Sequence, residues 1–416
     1  GGIKTVNLQR NNFTDVVAWD TNQSLTHTFM ASTVPTGEVS GWVILERQWS
    51  PYTLDASMVL LPSSTLTIQD DVSLRISEGV TITVNGVFDA GEATLSSTGF
   101  GSRWGGLAMG DSTSASIELT NTQLVESAPA LTVSGNGEIL ADGVLMARSA
   151  STPLMIVESG SATDVLLRNS RLQDSGNGCA NVYPSSGEVV FTNVSFANCD
   201  GSAVWAQQAM VDFDGLVFDD GVDQGLDFTA VSGDVDNIDA LLFNGTGSIV
   251  TLNNMESGFT LNGIEGVVTG AGGLIGQDNQ DLDLSNIILH GAPAIDFDLS
   301  SGIIADVTLT GEGTGTAFTA HHGRSTSSLL VESMIVTGYS VGVSLHSDPG
   351  EISAPLVLRS SSITASSALS AEQHPARLEG CTLVGTLDLS GTEVVAVDGQ
   401  SGSVVAGDDA TFFAYR

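Results

Sequence analysis

Lysine is almost missing from this chain. Lys4 is the only one, and 12 lysines plus arginines stand against 48 aspartates plus glutamates, for a formal net charge of −36. A nucleic-acid binder must neutralise phosphates with clustered basic side chains, so nucleic acid is not expected as a partner. No apolar run reaches bilayer-spanning length, and no signal peptide or lipidation motif is visible, so membrane insertion of this segment is not expected. The chain opens on Gly1-Gly2 rather than Met and reads as a mature form or an excised piece. No window carries a sustained helical stripe with caps, and no leucine-rich consensus is present. No EF-hand loop or nonapeptide Ca²⁺ repeat occurs either. Thr-x-Thr occurs at 65–67 and 81–83 but does not persist, which sets aside an ice-binding threonine ladder.

What is present is a repeat. Ile117-Glu-Leu-Thr-Asn-Thr-Gln-Leu124 returns as Val165-Leu-Leu-Arg-Asn-Ser-Arg-Leu172, as Val189-Val-Phe-Thr-Asn-Val-Ser-Phe196 and as Val211-Asp-Phe-Asp-Gly-Leu-Val-Phe218. Apolar residues hold the first, third and eighth places, and Asn or Gly the fifth. A second block follows: Ala130-Leu-Thr-Val, Ala203-Val-Trp-Ala, Gly225-Leu-Asp-Phe, Ala294-Ile-Asp-Phe, Ala317-Phe-Thr-Ala, Gly342-Val-Ser-Leu and Ala368-Leu-Ser-Ala. It recurs at a period of roughly 21–27 residues, which marks a solenoid. The blocks alternate apolar and polar and are bounded by Gly, Ser, Asn and Asp, which is strand chemistry separated by turn chemistry. The expected fold is all-β, a parallel β-helix of about 12 or more coils stacked at the sheet spacing of ~4.8 Å. The asparagines at 121, 169 and 193 are expected at inward-facing turns, bonded to the coils above and below.

The stretch Trp49-Ser-Pro-Tyr52, Leu66-Thr-Ile, Val80-Thr-Ile-Thr-Val-Asn-Gly86, Ala90-Gly and Trp104-Gly-Gly-Leu107 resembles the first coils of large secreted and cell-surface β-helix proteins. Together with the repeat it is similar to the right-handed parallel β-helix, pectate-lyase-like superfamily, over roughly residues 49–400. Right-handedness is implied by this resemblance and by the general crossover rule. The fold hosts lyases, hydrolases, esterases, adhesins and spacers, so it does not by itself fix an activity.

Four segments are expected. Residues 1–48, with Trp19, Phe29 and Trp42, read as an N-terminal cap or the end of a preceding module, and 49–110 as the first coils. Residues 111–400 form the main β-helix, and 401–416 a C-terminal cap. Within the main helix, 231–290 looks looser, with acidic turns at Asp234, Asp236, Asp239, Asp278, Asp281 and Asp283, and is expected to bulge or bind cations. Cys179 and Cys199 lie in neighbouring coils and are a disulfide candidate if the chain is exported; two reduced thiols are the alternative. Cys381 replaces a core residue. Sequons stand at Asn12, Asn22, Asn193 and Asn244.

Aligning the second block puts Asp296/Asp298, Thr319/His321, Ser344/His346 and Ser370/Glu372 outward in successive coils. This stripe of Asp296, Asp298, His321, His346 and Glu372 holds the candidate catalytic residues, with His322, Arg324 and His374 just beyond it. Carboxylates two coils apart match inverting glycosidase geometry of ~6.5–9.5 Å. Imidazole beside carboxylate suits acid–base chemistry or a transition metal. In the resembled polysaccharide enzymes the cleft runs along one sheet face. The resemblance also implies a Lys or Arg base for elimination, whereas the only lysine, Lys4, lies away from the repeat, and a paired-Asp plus Arg-x-Lys pattern for hydrolysis, which is missing. Asp281, Asp283, Asp296 and Asp298 are candidate Ca²⁺ ligands, paired as Asp-x-Asp on strands; no other cofactor is expected.

The leading expectation is a non-enzymatic extracellular or cell-surface module in a saline setting: a spacer, adhesin or filament subunit. Its partners would be other surface proteins, copies of itself or a polysaccharide. The alternative is a polysaccharide hydrolase or lyase, or a glycan- or cation-binding module, using the Asp/His/Glu stripe.

Overall fold

The computed structural model describes residues 26–28 and 34–415, except 100, 151, 159–161, 185, 256–257, 323–326, 352, 400–402 and 408. Lys4, Trp19, Phe29, Arg324 and the sequons at Asn12 and Asn22 lie outside the described residues. The fold is an all-β parallel β-solenoid of about 15 turns. Among the described residues the one helical piece is a 3₁₀ turn, Arg47–Trp49. The chain divides into two units, Gly1–Gly201 and Ser202–Arg416.

In the first unit each turn contributes three short strands, and every strand pairs in parallel with its equivalent one turn on. One such ladder runs through Trp42–Leu45, Thr65–Ile68, Val87–Gly91, Ala115–Thr120, Gly137–Asp142, Asp164–Arg168 and Glu188–Thr192. Alternation explains the core. Val43, Leu66, Phe88, Ile117, Ile139, Val165 and Val189 occupy one register position and all are buried. Each such side chain removed from water stabilises the fold by roughly 1.5–3 kcal/mol. Within residues 1–48, read from sequence as a cap, Trp42–Leu45 already belongs to this ladder and Gly37–Val39 to another, paired with Met58–Leu60. Trp104 is fully buried, its indole N–H donating to the Val125 carbonyl at 3.0 Å. Cys179 and Cys199 form a disulfide.

The asparagines depart from expectation. Asn121, Asn169 and Asn193 are exposed, not inward, with φ of 49°, 47° and 53°. A left-handed residue at the corner turns its side chain away from the core, and Asn tolerates that conformation. The ladder of amides exists, but on the outside: Asn169 Nδ2 donates to Asp142 at 2.8 Å and Asn193 Nδ2 to Asn169 at 3.3 Å. The buried corner belongs to the next residue, Thr122 or Ser170.

In the second unit the strands fuse around the corner. Met210–Phe218, Ser232–Ala240, Phe259–Val267, Leu282–His290 and Gly302–Thr310 each run through a left-handed corner residue: Gly215, Asn237, Gly263, Asn286 and Asp306. These stand at one level, so the bend is shared by every turn. A second column, Leu226, Val250, Leu274, Ile295, Phe318, Val343, Leu369 and Leu387, is buried throughout.

The stretch 231–290, expected to be loose, is regular. Its turns are tied into side-chain ladders: Asn237 Nδ2 donates to Asp214 of the preceding turn at 2.8 Å, and Asp236 accepts from Asn262 Nδ2 at 2.9 Å. The irregularities lie instead among coils expected to be regular, with register shifts between Thr337 and Tyr339 and between Thr364 and Leu369. Cys381 is buried and free.

Candidate functional site

The site lies in the second unit and is built by register. Asp296 pairs with Thr319, Thr319 with Ser344 and Ser344 with Ser370; two residues along, Asp298, His321, His346 and Glu372 form the parallel column. The candidate stripe is thus two adjacent columns on the outward side of one sheet. Their inward neighbours Phe297, Ala320, Leu345 and Ala371 are buried, which fixes the outward direction of the stripe by strand alternation.

His322 changes this picture. A residue following His321 on a straight strand would point to the other face. At φ 44° it does not, and its ring joins those of His321 and His346. The three centroids make a nearly equilateral triangle, 6.2 Å (His321–His346), 6.3 Å (His322–His346) and 6.4 Å (His321–His322) on its sides.

Carboxylates surround the triangle. His322 Nδ1 lies 3.0 Å from Asp298 Oδ1, while its Nε2 is 3.5 Å from Asp348 and 3.9 Å from Glu351. His346 Nδ1 is 3.3 Å from Glu372 and its Nε2 3.9 Å from Asp348. His321 Nε2 is 3.6 Å from Asp296. His322 Nε2 is shielded from solvent yet makes no hydrogen bond. The Asp348 oxygen at 3.5 Å is close enough for charge attraction but not placed to accept a proton from it.

The electrostatics follow from these contacts. The hydrogen bond to Asp298 raises the His322 pKa, against the opposing effect of burial, and Glu351 and Asp348 add to the rise. Burial raises the Asp296 carboxyl; His321 pulls it back and Asp298 pushes it further up. His374 is different in kind. It is 2% exposed, its Nδ1 donates to the Pro375 carbonyl at 2.9 Å, and burial lowers its pKa. With His321, Phe297, Ser300, Ala320 and Leu329 it lines a cavity of about 10 Å³, room for roughly one water.

Asp296, Asp298, His321, His346 and Glu372 are therefore neighbours, as their spacing implies. Asp281 and Asp283 are not with them: Asp283 stands in a column with Thr260 and Ile303, on another strand of the turn. Of the four aspartates considered for Ca²⁺, Asp283 is on Leu282–His290 with Asp281 just before it, and Asp296 and Asp298 are on Ile295–Asp298. Sequence reasoning left His322 at the margin and missed Asp348 and Glu351. The signal for His322 was its place: the equivalent residues one, two and three turns back are Leu299, Asp278 and Asn254, all left-handed corners. Chemically, the arrangement offers carboxylate–imidazole pairs able to move a proton, and imidazole nitrogens able to hold a cation.

No protein-family model and no curated protein matches the sequence. Among solved structures, the chain is similar to the periplasmic alginate epimerase AlgG, at 10% identity over 91% of this chain and 83% of that one, with a TM-score of 0.28. It is also similar to PfbA, a surface adhesin of Streptococcus pneumoniae, at 10% identity over 90% of this chain and 83% of that one, with a TM-score of 0.21. At such values neither likeness bears on what this chain does.

Proposed function

We propose that the chain is a non-enzymatic extracellular or cell-surface module, a β-solenoid acting as a spacer or adhesive surface. The observation that carries this reading is the parallel ladder within each unit, whose repeated feature from turn to turn is the buried column rather than any outward group. Such a ladder supplies length and a repeated surface. Two further features support the location: the Cys179–Cys199 disulfide, which persists in oxidising compartments, and a net charge of −36, which salt water screens over less than ~10 Å. Partners of this kind are other surface proteins or further copies of the chain.

The alternative is a polysaccharide-active or glycan-binding face centred on Asp298, His321, His346 and Glu372. Its specific support is the register that stacks these four in one column. Chain shortening of a panel of marine and cell-wall polysaccharides, with and without Ca²⁺, separates the two. No shortening of any substrate is expected. Shortening by the parent protein that disappears in a His321→Ala/His346→Ala variant would replace the module reading with the enzyme reading. That variant is expected to fold, because both rings are outward and surface changes cost little.

A further inference from the structure

We propose that His322 Nε2, His346 Nε2 and the Asp348 carboxylate form a binding site for one divalent transition-metal ion of the Zn²⁺ type. Three observations point there independently of the module reading.

The first is orientation. A metal-binding imidazole characteristically donates its second N–H to a carboxylate, which fixes the tautomer and leaves the other nitrogen bare. His322 has Asp298 on Nδ1 at 3.0 Å, and His346 has Glu372 on Nδ1 at 3.3 Å. The His322 contact is a hydrogen bond and leaves Nε2 as the free nitrogen; at His346 the Glu372 carboxylate is a charge partner on the Nδ1 side. The second is a vacancy in the hydrogen bonding: His322 Nε2 is buried and has no hydrogen-bond partner. A buried polar atom left without one is costly, and a bound cation removes that cost. The third is convergence. Asp348 stands between the two Nε2 atoms, with one oxygen 3.5 Å from His322 Nε2 and the other 3.9 Å from His346 Nε2.

As they stand, no three such side chains among the described residues meet at ligating distance. Ligands held at about 2.0–2.1 Å in tetrahedral geometry are roughly 3.4 Å apart, so the Asp348 carboxylate, at 3.5 and 3.9 Å, must draw in and the two rings must turn toward a common point. The Asp348 side chain is 66% exposed and free to move. Two imidazoles and one carboxylate favour a borderline cation over Ca²⁺, which needs six or more oxygens. Three protein ligands leave a fourth position for water.

Isothermal titration of the untagged protein with Zn²⁺ near neutral pH tests the site. One equivalent per chain is expected. His322→Ala and His346→Ala should each abolish it, while Asp298→Asn and Glu372→Gln, which remove only orienting partners, should weaken it by about tenfold or more. His290→Ala, away from the cluster, should leave it unchanged. Co²⁺ loading should give visible d–d bands that the His322→Ala/His346→Ala variant lacks, with circular dichroism confirming that this variant is folded. Failure to saturate at one equivalent would overturn the proposal, as would binding that survives the double variant. Displacement of Zn²⁺ by an equal concentration of Ca²⁺ would overturn it too, since that is the behaviour of a diffuse acidic surface.

Discussion

Single residues in this protein are chosen by what stands one turn above and below. Gly276 is a clear case. A Cβ there would fall 2.1 Å from ring carbons of Phe297 in the next turn. The glycine and the phenylalanine are a size-matched pair, and Gly276→Ala is expected to cost about 1–3 kcal/mol by overpacking, read as a fall in the denaturation midpoint. His374 is a second case. Its folded pKa is lowered by burial, so below the ordinary imidazole value of about 6.5 the unfolded chain binds more protons than the folded one. Its contribution to stability is therefore complete above that pH and declines as pH falls toward the lowered folded value. His322, with a raised pKa, works in the opposite sense: its contribution is full at acid pH and lost as pH rises through the folded value. Comparing the pH–stability profiles of the parent and His374→Gln isolates the first effect. The parent should gain on the variant as pH rises toward about 6.5 and then run parallel to it. A constant offset across the whole range would mean that His374 is not held neutral by the fold.

Strands and turns set the next scale. Alternation decides which residues are buried, and the corner residue decides where alternation is interrupted. Asn121, Asn169 and Asn193 were legible as a repeated turn but were assigned to the wrong side of the wall. The sequence carries the periodicity of the Asn but not its φ, and a left-handed φ is what turns the amide outward. The same rule placed His322 beside His321 and His346 rather than across the sheet from them. The disulfide acts on this scale as well. It closes a segment with a sequence separation of 20, so the Cys179→Ser/Cys199→Ser variant is expected to lose about 3 kcal/mol, measured by urea unfolding under non-reducing conditions. An unchanged midpoint would mean that the neighbouring turns already confine the open chain.

For the molecule as a whole, charge is the dominant variable. With 48 acidic against 12 basic side chains, self-repulsion opposes the compact state. Salt shortens its range from ~30 Å at 0.01 M to ~10 Å at 0.1 M, so the melting temperature is expected to climb with NaCl and then level off. Sucrose, which does not screen charge, is the control in the same calorimetric series. Equal shifts with both would remove electrostatics as the cause. This salt response bears on where the chain works, and the polysaccharide panel bears on what it does.

The sequence by itself determined the solenoid and its core columns, because strand alternation and a fixed period need only local residue types. It also determined that Asp298, His321, His346 and Glu372 share a column, since equal spacing from a buried anchor forces equal register. What it could not carry was the conformation at each corner or the course of the chain after the strand ends. Those decided that His322 turns into the cluster, that Asp348 comes to stand between two imidazoles, and that Asp281 and Asp283 stay apart from Asp296 and Asp298. Each depends on contacts between turns some two dozen residues apart in the chain (roughly one repeat period), and these exist only once the coils have stacked.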